Sequence, residues 1–455
     1  MPLYSASWIH CVPVNVSTSS KNVLVIVHDF PPLGGGWVIR ALKFVKYLEF
    51  FGWRPVVLTV ESAFYPPALL DQSLLDEIPA STPVYRTRTS IGPYQLQLPN
   101  QKAETCGTRG NGTQFRQILE CLVPANLRVI QDYGFFWLPH AWAQACKIID
   151  QEAINLIFTT SPPHNVHLLG WVLKKQFRLP WVADFRDGWM QFEMFVASSM
   201  VRRAFDRRCE RLVLSNADQV ICTTPRTVED FCRDYPDIRK KIHTIYNGFD
   251  PADFENLEPI HSQKDEFRLA YVGSLSLKPR RTPEILLQAV QSLALKIPAF
   301  QEKCRLEFVG LVYDVPLEQM LQEYNVASMC RIVGVVSHKA AIQAMRSADV
   351  LVLLINFDQK FGNDSILSGK FGEYIAAQKP LLAIVPDGEA AHLVRSHHLG
   401  MVVAPDDPDA VETALESLFV QWQAGRFCPP PSEKLVSQFN RYEQTRALAR
   451  IFSDL

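Results

Sequence analysis

Glycine is scarce in this chain, with 21 among 455 residues, against an average near 7%. Clusters of glycine therefore mark places where the backbone has a demanding job. The ten cysteines form no CxxC pair and no Cys/His cluster. That excludes a disulfide framework and a zinc module, and it predicts reduced, mostly buried thiols in a cytoplasmic protein. No apolar run reaches ~18 residues, so no bilayer-spanning helix is expected. The first twenty residues lack the basic and apolar regions of a secretory signal. Charge of one sign is missing too: 46 Lys and Arg meet 47 Asp and Glu, for a net charge of −1. The overall electrostatic footprint of a nucleic-acid binder is absent, and no nucleic acid is expected as a partner. No tandem repeat is visible.

What is present is a globular composition, 47% hydrophobic and 20% charged. Its length suits roughly two to four domains. Short β-branched apolar runs alternate with longer amphipathic stretches. The spacing predicts strands at Val23–Val27, Pro55–Val60, Leu156–Thr160, Trp181–Phe185, Gln219–Thr224 and Ile242–Tyr246. Helices are predicted over 37–50, 141–151, 164–177, 201–215 and 225–234. Continuous apolar strands separated by helices argue for a parallel sheet buried on both faces. Residues 251–266 are polar and read as a linker. The pattern then restarts, with strands at Phe267–Val272, Arg305–Val309, Arg331–Val336, Asp349–Ile355, Pro380–Val385 and Met401–Ala404. Helices are predicted over 282–297, 338–347, 370–378 and 408–424. An amphipathic segment of about 433–453 closes the chain. The expected architecture is α/β, with two Rossmann-like, doubly wound domains at 1–255 and 256–435 facing a cleft. The polar stretch 99–114 reads as a long surface loop in the first of them.

Several motifs fall at predicted strand ends, where open α/β sheets bind ligands. Gly34, Gly35 and Gly36 follow the first strand. They either let backbone approach a phosphate or sugar, or make a tight turn. The pattern is not GxGxxG, which argues against a dinucleotide. His164 closes Thr160–His164, as a base, a hydroxyl partner or a surface helix-start residue. Asp184 and Arg186 punctuate an apolar strand, either paired with each other or lining a polar cleft that grips hydroxyls. Gly273 and Ser274 end a later strand, and Lys278, Arg280 and Arg281 precede a helix. Cations at a helix entrance oppose its dipole, a conflict that an anionic ligand such as a diphosphate would resolve. Lys370 and Glu373 open another helix, as a phosphate and ribose pair or an exposed ion pair. No metal site emerges. Arg40, Lys43 and Lys46 line one face of the first helix, which either touches an anionic membrane surface or packs on the sheet.

Taken together, these segments resemble the retaining family 4 glycosyltransferases of the GT-B fold, in particular the bacterial surface-polysaccharide type. The carriers are PPLGGGWVIRALKFVKYL, IFTTSPPH, WVADFRDGW, ADQVICTTPRT, IHTIYNGFD, LAYVGSL, RTPEILLQAV and GKFGEYIAAQKPLLAIVP, in family order over about residues 22–455. The resemblance implies acceptor binding mainly in the first domain and nucleotide-sugar binding mainly in the second. It also implies a last helix, about 436–455, that crosses back to complete the first domain. It implies transfer of a sugar from a nucleotide-diphosphate donor to a glycan or lipid-linked hydroxyl, in the cytoplasm or at the inner membrane face, without a metal or other cofactor. The family's phosphate-gripping cations fall on Lys278–Arg281, its ribose-holding Glu on Glu373, its glycine loop near the donor phosphate on Gly34–Gly36 and its catalytic-site His on His164. Two positions depart from the pattern. Ser365, beside Asp364, stands where a second Glu is frequent, and Ser274 stands where Arg often follows the Val-Gly turn. These departures motivate an alternative, a GT-B protein that binds nucleotide or glycan without transfer. A weaker alternative is a sugar-nucleotide epimerase.

Overall fold

The computed structural model describes residues 21–90, 133–190, 200–255, 257, 265–277, 281–356, 367–426 and 429–455. Four expectations lie outside the described residues: the loop at 99–114, Lys278, Arg280, and the departure at Asp364 and Ser365.

The first sheet contains β1 (Lys21–Val27), β2 (Trp53–Val60), β3 (Val84–Thr87), β4 (Ile154–Ser161), β5 (Trp181–Phe185), β6 (Gln219–Cys222) and β7 (Ile242–Thr244). They run parallel in the order β3-β2-β1-β4-β5-β6-β7. The second sheet contains β8 (Phe267–Val272), β9 (Cys304–Val309), β10 (Cys330–Gly334), β11 (Val350–Leu354), β12 (Leu381–Ile384) and β13 (Gly400–Val403), in the order β10-β9-β8-β11-β12-β13. Both are doubly wound. In each, the order reverses beside the first strand, so a crevice opens at the carboxyl ends of β1 and β4, and of β8 and β11.

Burial explains why these strands are continuous apolar runs. Along β1, Leu24 and Ile26 enter one core while Val23, Val25 and Val27 enter another on the opposite face. Along β8, Phe267, Leu269 and Tyr271 face one core, and Ala270 and Val272 face the other. Helices Leu138–Gln151, Val166–Phe177 and Met200–Asn216 form one layer, each packed on the next. Helix Gly36–Leu48 covers the other face of the first sheet, against helix Arg441–Ser453.

The closing segment is two helices, Glu433–Phe439 and Arg441–Ser453, broken at Asn440, whose side chain caps the second by accepting from Tyr442 N at 2.9 Å. The break is where the chain changes partners. Leu435 and Phe439 join a core of the second sheet, whereas Leu448, Ala449 and Phe452 join a core of the first. The last helix therefore crosses back to the first half.

Candidate active site

The glycine loop meets three separate demands. Gly34 donates its N–H to Leu69 O at 2.7 Å, and a Cβ there would lie 3.0 Å from that oxygen. Gly35 has φ +103°, and a Cβ would meet the distal end of the Trp37 indole at 2.7 Å. Gly36 faces open space. Trp37 stays 40% exposed beside the loop.

Arg186, the residue after β5, holds this loop to the neighbouring one. Its guanidinium donates to Ser161 O at 2.7 Å, to Pro162 O at 2.7 Å and to Trp37 O. Asp184 is fully buried, and its two oxygens accept from Arg40 at 2.9 and 2.7 Å and from Thr160 Oγ1 at 2.7 Å. Arg40 also donates to Ile245 O at 2.9 Å and Tyr246 O at 2.8 Å. Asp184 and Arg186 thus spend these hydrogen bonds inside the fold and position the loops around the cleft. Asp187, one residue further, feels Arg281 of the second half, and burial pushes its carboxyl above the usual range.

The basic stripe on the first helix needs a correction. Arg40 and Lys43 are 1% and 0% exposed, so they meet no membrane. Lys43 reaches Asp250 at 2.9 Å, Asp253 at 2.6 Å and Glu77. Burial alone would pull its ammonium down, but the three carboxylates outweigh this and hold it above its ordinary value. Lys46 joins Glu77 at 2.9 Å and Asp250 at 2.7 Å. Glu77, Asp250 and Asp253 lie close enough together to hold an ion, and Lys43 fills that place.

His164 is 1% exposed, with its ring stacked on Trp189. A chain of polar groups runs up to it. Trp181 Nε1 meets Thr159 Oγ1 at 2.8 Å, Thr159 Oγ1 meets His167 Nδ1 at 2.8 Å, His167 Nε2 meets Ser161 Oγ at 2.8 Å, and Ser161 Oγ meets His164 Nδ1 at 2.9 Å. Burial lowers the pKa of both imidazoles, His167 to about 3 and His164 well below its ordinary value, so both rings are neutral. The indole can only donate. One assignment then lets every member donate once along the chain, and it puts the His164 proton on Nε2. His164 is thereby a neutral N–H donor, suited to holding an oxygen rather than to taking a proton.

In the second half, Gly273 and Ser274 follow β8. A Cβ on Gly273 would sit 3.3 Å from Lys370 Nζ, so the bare backbone leaves room for that ammonium. Ser274 O accepts from Tyr271 Oη at 2.8 Å. The Arg281 and Ser276 backbones exchange hydrogen bonds, Arg281 N–H to Ser276 O at 2.8 Å and Ser276 N–H to Arg281 O at 3.3 Å. Burial, and then Arg281, lowers the Lys370 ammonium to about 8, although Glu373 opposes this. Lys370 thus feels a second cation, Arg281, at a partly dry sheet end, an arrangement that a bound anion would relieve. Burial raises the Glu373 carboxyl, against the pull of His338 and Lys370.

His338, which the sequence reading did not single out, stands beside this group. Its Nε2 lies 3.0 Å from Asp253 Oδ2 and 3.9 Å from Glu373 Oε1, and its backbone N–H donates to Asp71 Oδ2 at 3.3 Å. The local signal was only a helix-start histidine after Ser337. Its partners are 85, 35 and 267 positions away.

Comparisons with known proteins bear on both halves. Residues 34–248 match the family model described as Glycosyl transferase 4-like domain, and residues 266–421 match Glycosyl transferases group 1. D-inositol 3-phosphate glycosyltransferase 2 of Catenulispora acidiphila is 25% identical over 205 residues, covering 42% of this chain and 47% of that protein. D-inositol 3-phosphate glycosyltransferase of Corynebacterium jeikeium is 23% identical over 265 residues, covering 52% of this chain and 62% of that protein. The matches thus span about half the length of these relatives.

Among solved structures, sucrose-phosphate synthase from Thermosynechococcus elongatus superposes with TM-score 0.63 at 18% identity, covering 95% of this chain and 98% of that one. A glycosyltransferase from Rickettsia africae gives 0.60 at 14% identity, covering 96% and 98%. The UDP-GlcNAc 2-epimerase from Methanocaldococcus jannaschii gives 0.54 at 12% identity, covering 96% and 100%. Likeness at these identities shows a shared fold.

Proposed function

We propose that this chain, a GT-B glycosyltransferase by its fold and by the models its two halves match, moves a sugar from a nucleotide-diphosphate donor to a hydroxyl of a glycan or lipid-linked acceptor. The observation that carries the reading is the pair Arg281 and Lys370 beside Gly273, with Glu373 next to them. A diphosphate leaving group meets two positive charges there as its own negative charge grows. Glu373 accepts the ribose hydroxyls, and Lys278 and Arg280 extend the grip. No metal or other cofactor is invoked.

On this reading the acceptor enters from the first half. His164 donates its Nε2–H to a sugar oxygen, while Arg186 and Asp184 hold the glycine loop and the Ser161–His164 turn in register. Transfer proceeds with retention. The acceptor oxygen bonds to the anomeric carbon on the face from which the diphosphate departs, and a diphosphate oxygen takes the acceptor's proton. Closure of the halves keeps water from the donor. The setting is cytoplasmic, at the inner membrane face, in polysaccharide or glycolipid synthesis. The names of the relatives make a phosphorylated cyclitol one acceptor to include in any screen.

The test is Arg281→Ala with a donor chosen by thermal shift across UDP-, GDP- and ADP-sugars, because a ligand that binds the native state raises its stability. Turnover should fall at least 100-fold, in keeping with about 2.7–4 kcal/mol for one lost charge-stabilising group, with melting little changed. Wild-type-like transfer by the folded variant would sink the assignment. Nucleotide binding with no turnover on any donor would favour the binding-only alternative.

A further inference from the structure

The inner-face setting above leaves open which surface meets the lipid, now that the stripe on the first helix is buried. Helix Met200–Asn216 offers a different one. Asp206, Cys209, Glu210, Val213 and Leu214 are its buried face. At 100° per residue the opposite face carries Met200, Val201, Ala204, Phe205, Arg207, Arg208 and Arg211. All seven are exposed, with Met200 at 77%, Val201 at 54% and Phe205 at 38%. The two acidic residues are turned inward: Asp206 accepts from Arg202 at 2.7 Å, and Glu210 accepts from Met190 N at 3.0 Å and Tyr235 Oη at 2.8 Å. The outward face is therefore apolar in its first turns and carries Arg207, Arg208, Arg211 and Ser215 after them, with no acidic residue; Arg211 also lies over the Tyr235 ring, 5.8 Å from its centroid.

Exposed apolar side chains in one cluster cost solvation unless something covers them. Arginines interleaved with them select an anionic cover. Val172 is exposed on the adjoining helix, and Trp142 on the helix beyond it in the same layer. A helix that follows a parallel strand starts at that strand's carboxyl end, so Met200 lies on the cleft side of the sheet.

We propose that this face docks on an anionic bilayer. Met200, Val201 and Phe205 enter the headgroup boundary, and Arg207, Arg208 and Arg211 lie against lipid phosphates. The proposal rests on the lipid-linked acceptor in the reading above. It turns the mouth of the cleft toward the bilayer, where the hydroxyl of such an acceptor would be presented.

The experiment is co-sedimentation of the full chain with vesicles. One set is phosphatidylcholine alone, and the other is phosphatidylcholine mixed with phosphatidylglycerol. Binding is expected only to the mixed vesicles and should weaken as salt rises. The triple reversal Arg207→Glu, Arg208→Glu, Arg211→Glu should lower partitioning on the order of 100-fold, at roughly fivefold per arginine. Phe205→Ser should weaken it with charge unchanged, and Arg331→Glu, on the edge strand of the other sheet, should leave it as it is. Equal binding to both vesicle types, no binding to either, or a triple variant that binds as well as wild type would overturn the proposal. Self-association without vesicles, lost in the triple variant, would overturn it in favour of an interface between copies. Nucleotide-sugar thermal shift and transfer to a water-soluble acceptor, measured without vesicles, should survive in the triple variant. Failure of docking and failure of the transferase reading therefore read out separately.

Discussion

At the scale of single residues, burial decides which groups carry charge. Lys370 is held near 8 by desolvation and by Arg281. Its ammonium can grip a diphosphate only while protonated, so donor KM is expected to rise as pH passes through about 8. Lys370→Arg should flatten that rise, because guanidinium stays charged. A pH dependence unchanged in the variant would remove Lys370 from the donor seat. Unfolding through this group does not mimic the effect. Its pKa is lower folded than unfolded, so the unfolded chain binds the extra proton between the two values, and stability from this group rises with pH across that window. His164 gives the complementary case. As a neutral N–H donor it should contribute about 10²–10³ in kcat, the usual worth of one preorganised donor. His164→Ala should lose that much in a donor-saturated assay. The wild-type profile should show no step near the ordinary histidine pKa, since burial holds the ring well below it. Such a step, absent in the variant, would contradict the assigned tautomer chain.

At the scale of elements, the link from Arg40 to Asp184 joins the first helix, β5 and the segment after β7. It is a buried pair, with side chains 1% and 0% exposed. Asp184→Ala strands a buried guanidinium and should cost about 3–5 kcal/mol in urea unfolding. A loss under 1 kcal/mol would mean that the pair is solvated. The pair also marks what a single sequence makes legible. Strands such as Trp181–Phe185 and Phe267–Val272 could be read to the residue, because both faces of the sheet demand apolar side chains. The edge strand Val84–Thr87 could not, since VYRT is half-buried and carries a cation. Short helices such as Leu317–Glu323 and Glu389–Ser396 were missed because one or two turns leave little periodicity. The residue types around the cleft were readable from their places at strand ends. Which of them face each other was not. Arg40 looked like a surface cation until Asp184, 144 positions away, was brought to it. His338 gained its meaning only from Asp71, Asp253 and Glu373.

At the scale of the whole molecule, the two sheets are tied by a charge network as well as by the crossing helix. Glu77, Lys43 and Lys46 belong to the first half, Asp250 and Asp253 to the stretch between β7 and β8, and His338 and Glu373 to the second half. His338 is the one member with an ordinary pKa near neutrality. Burial lowers its pKa, but the hydrogen bond to Asp253 and the charges of Glu373 and Asp253 reverse this, against Lys43, and leave it raised. A histidine raised in the folded state stabilises it fully below the unfolded value and loses that contribution as pH climbs through the folded value. His338→Gln should therefore lower Tm most in mildly acidic buffer, and the gap to wild type should close as pH rises beyond the folded pKa. A gap that stays constant with pH would show that His338 acts by packing alone. A gap that widens with pH would reverse the sign of the link between the halves.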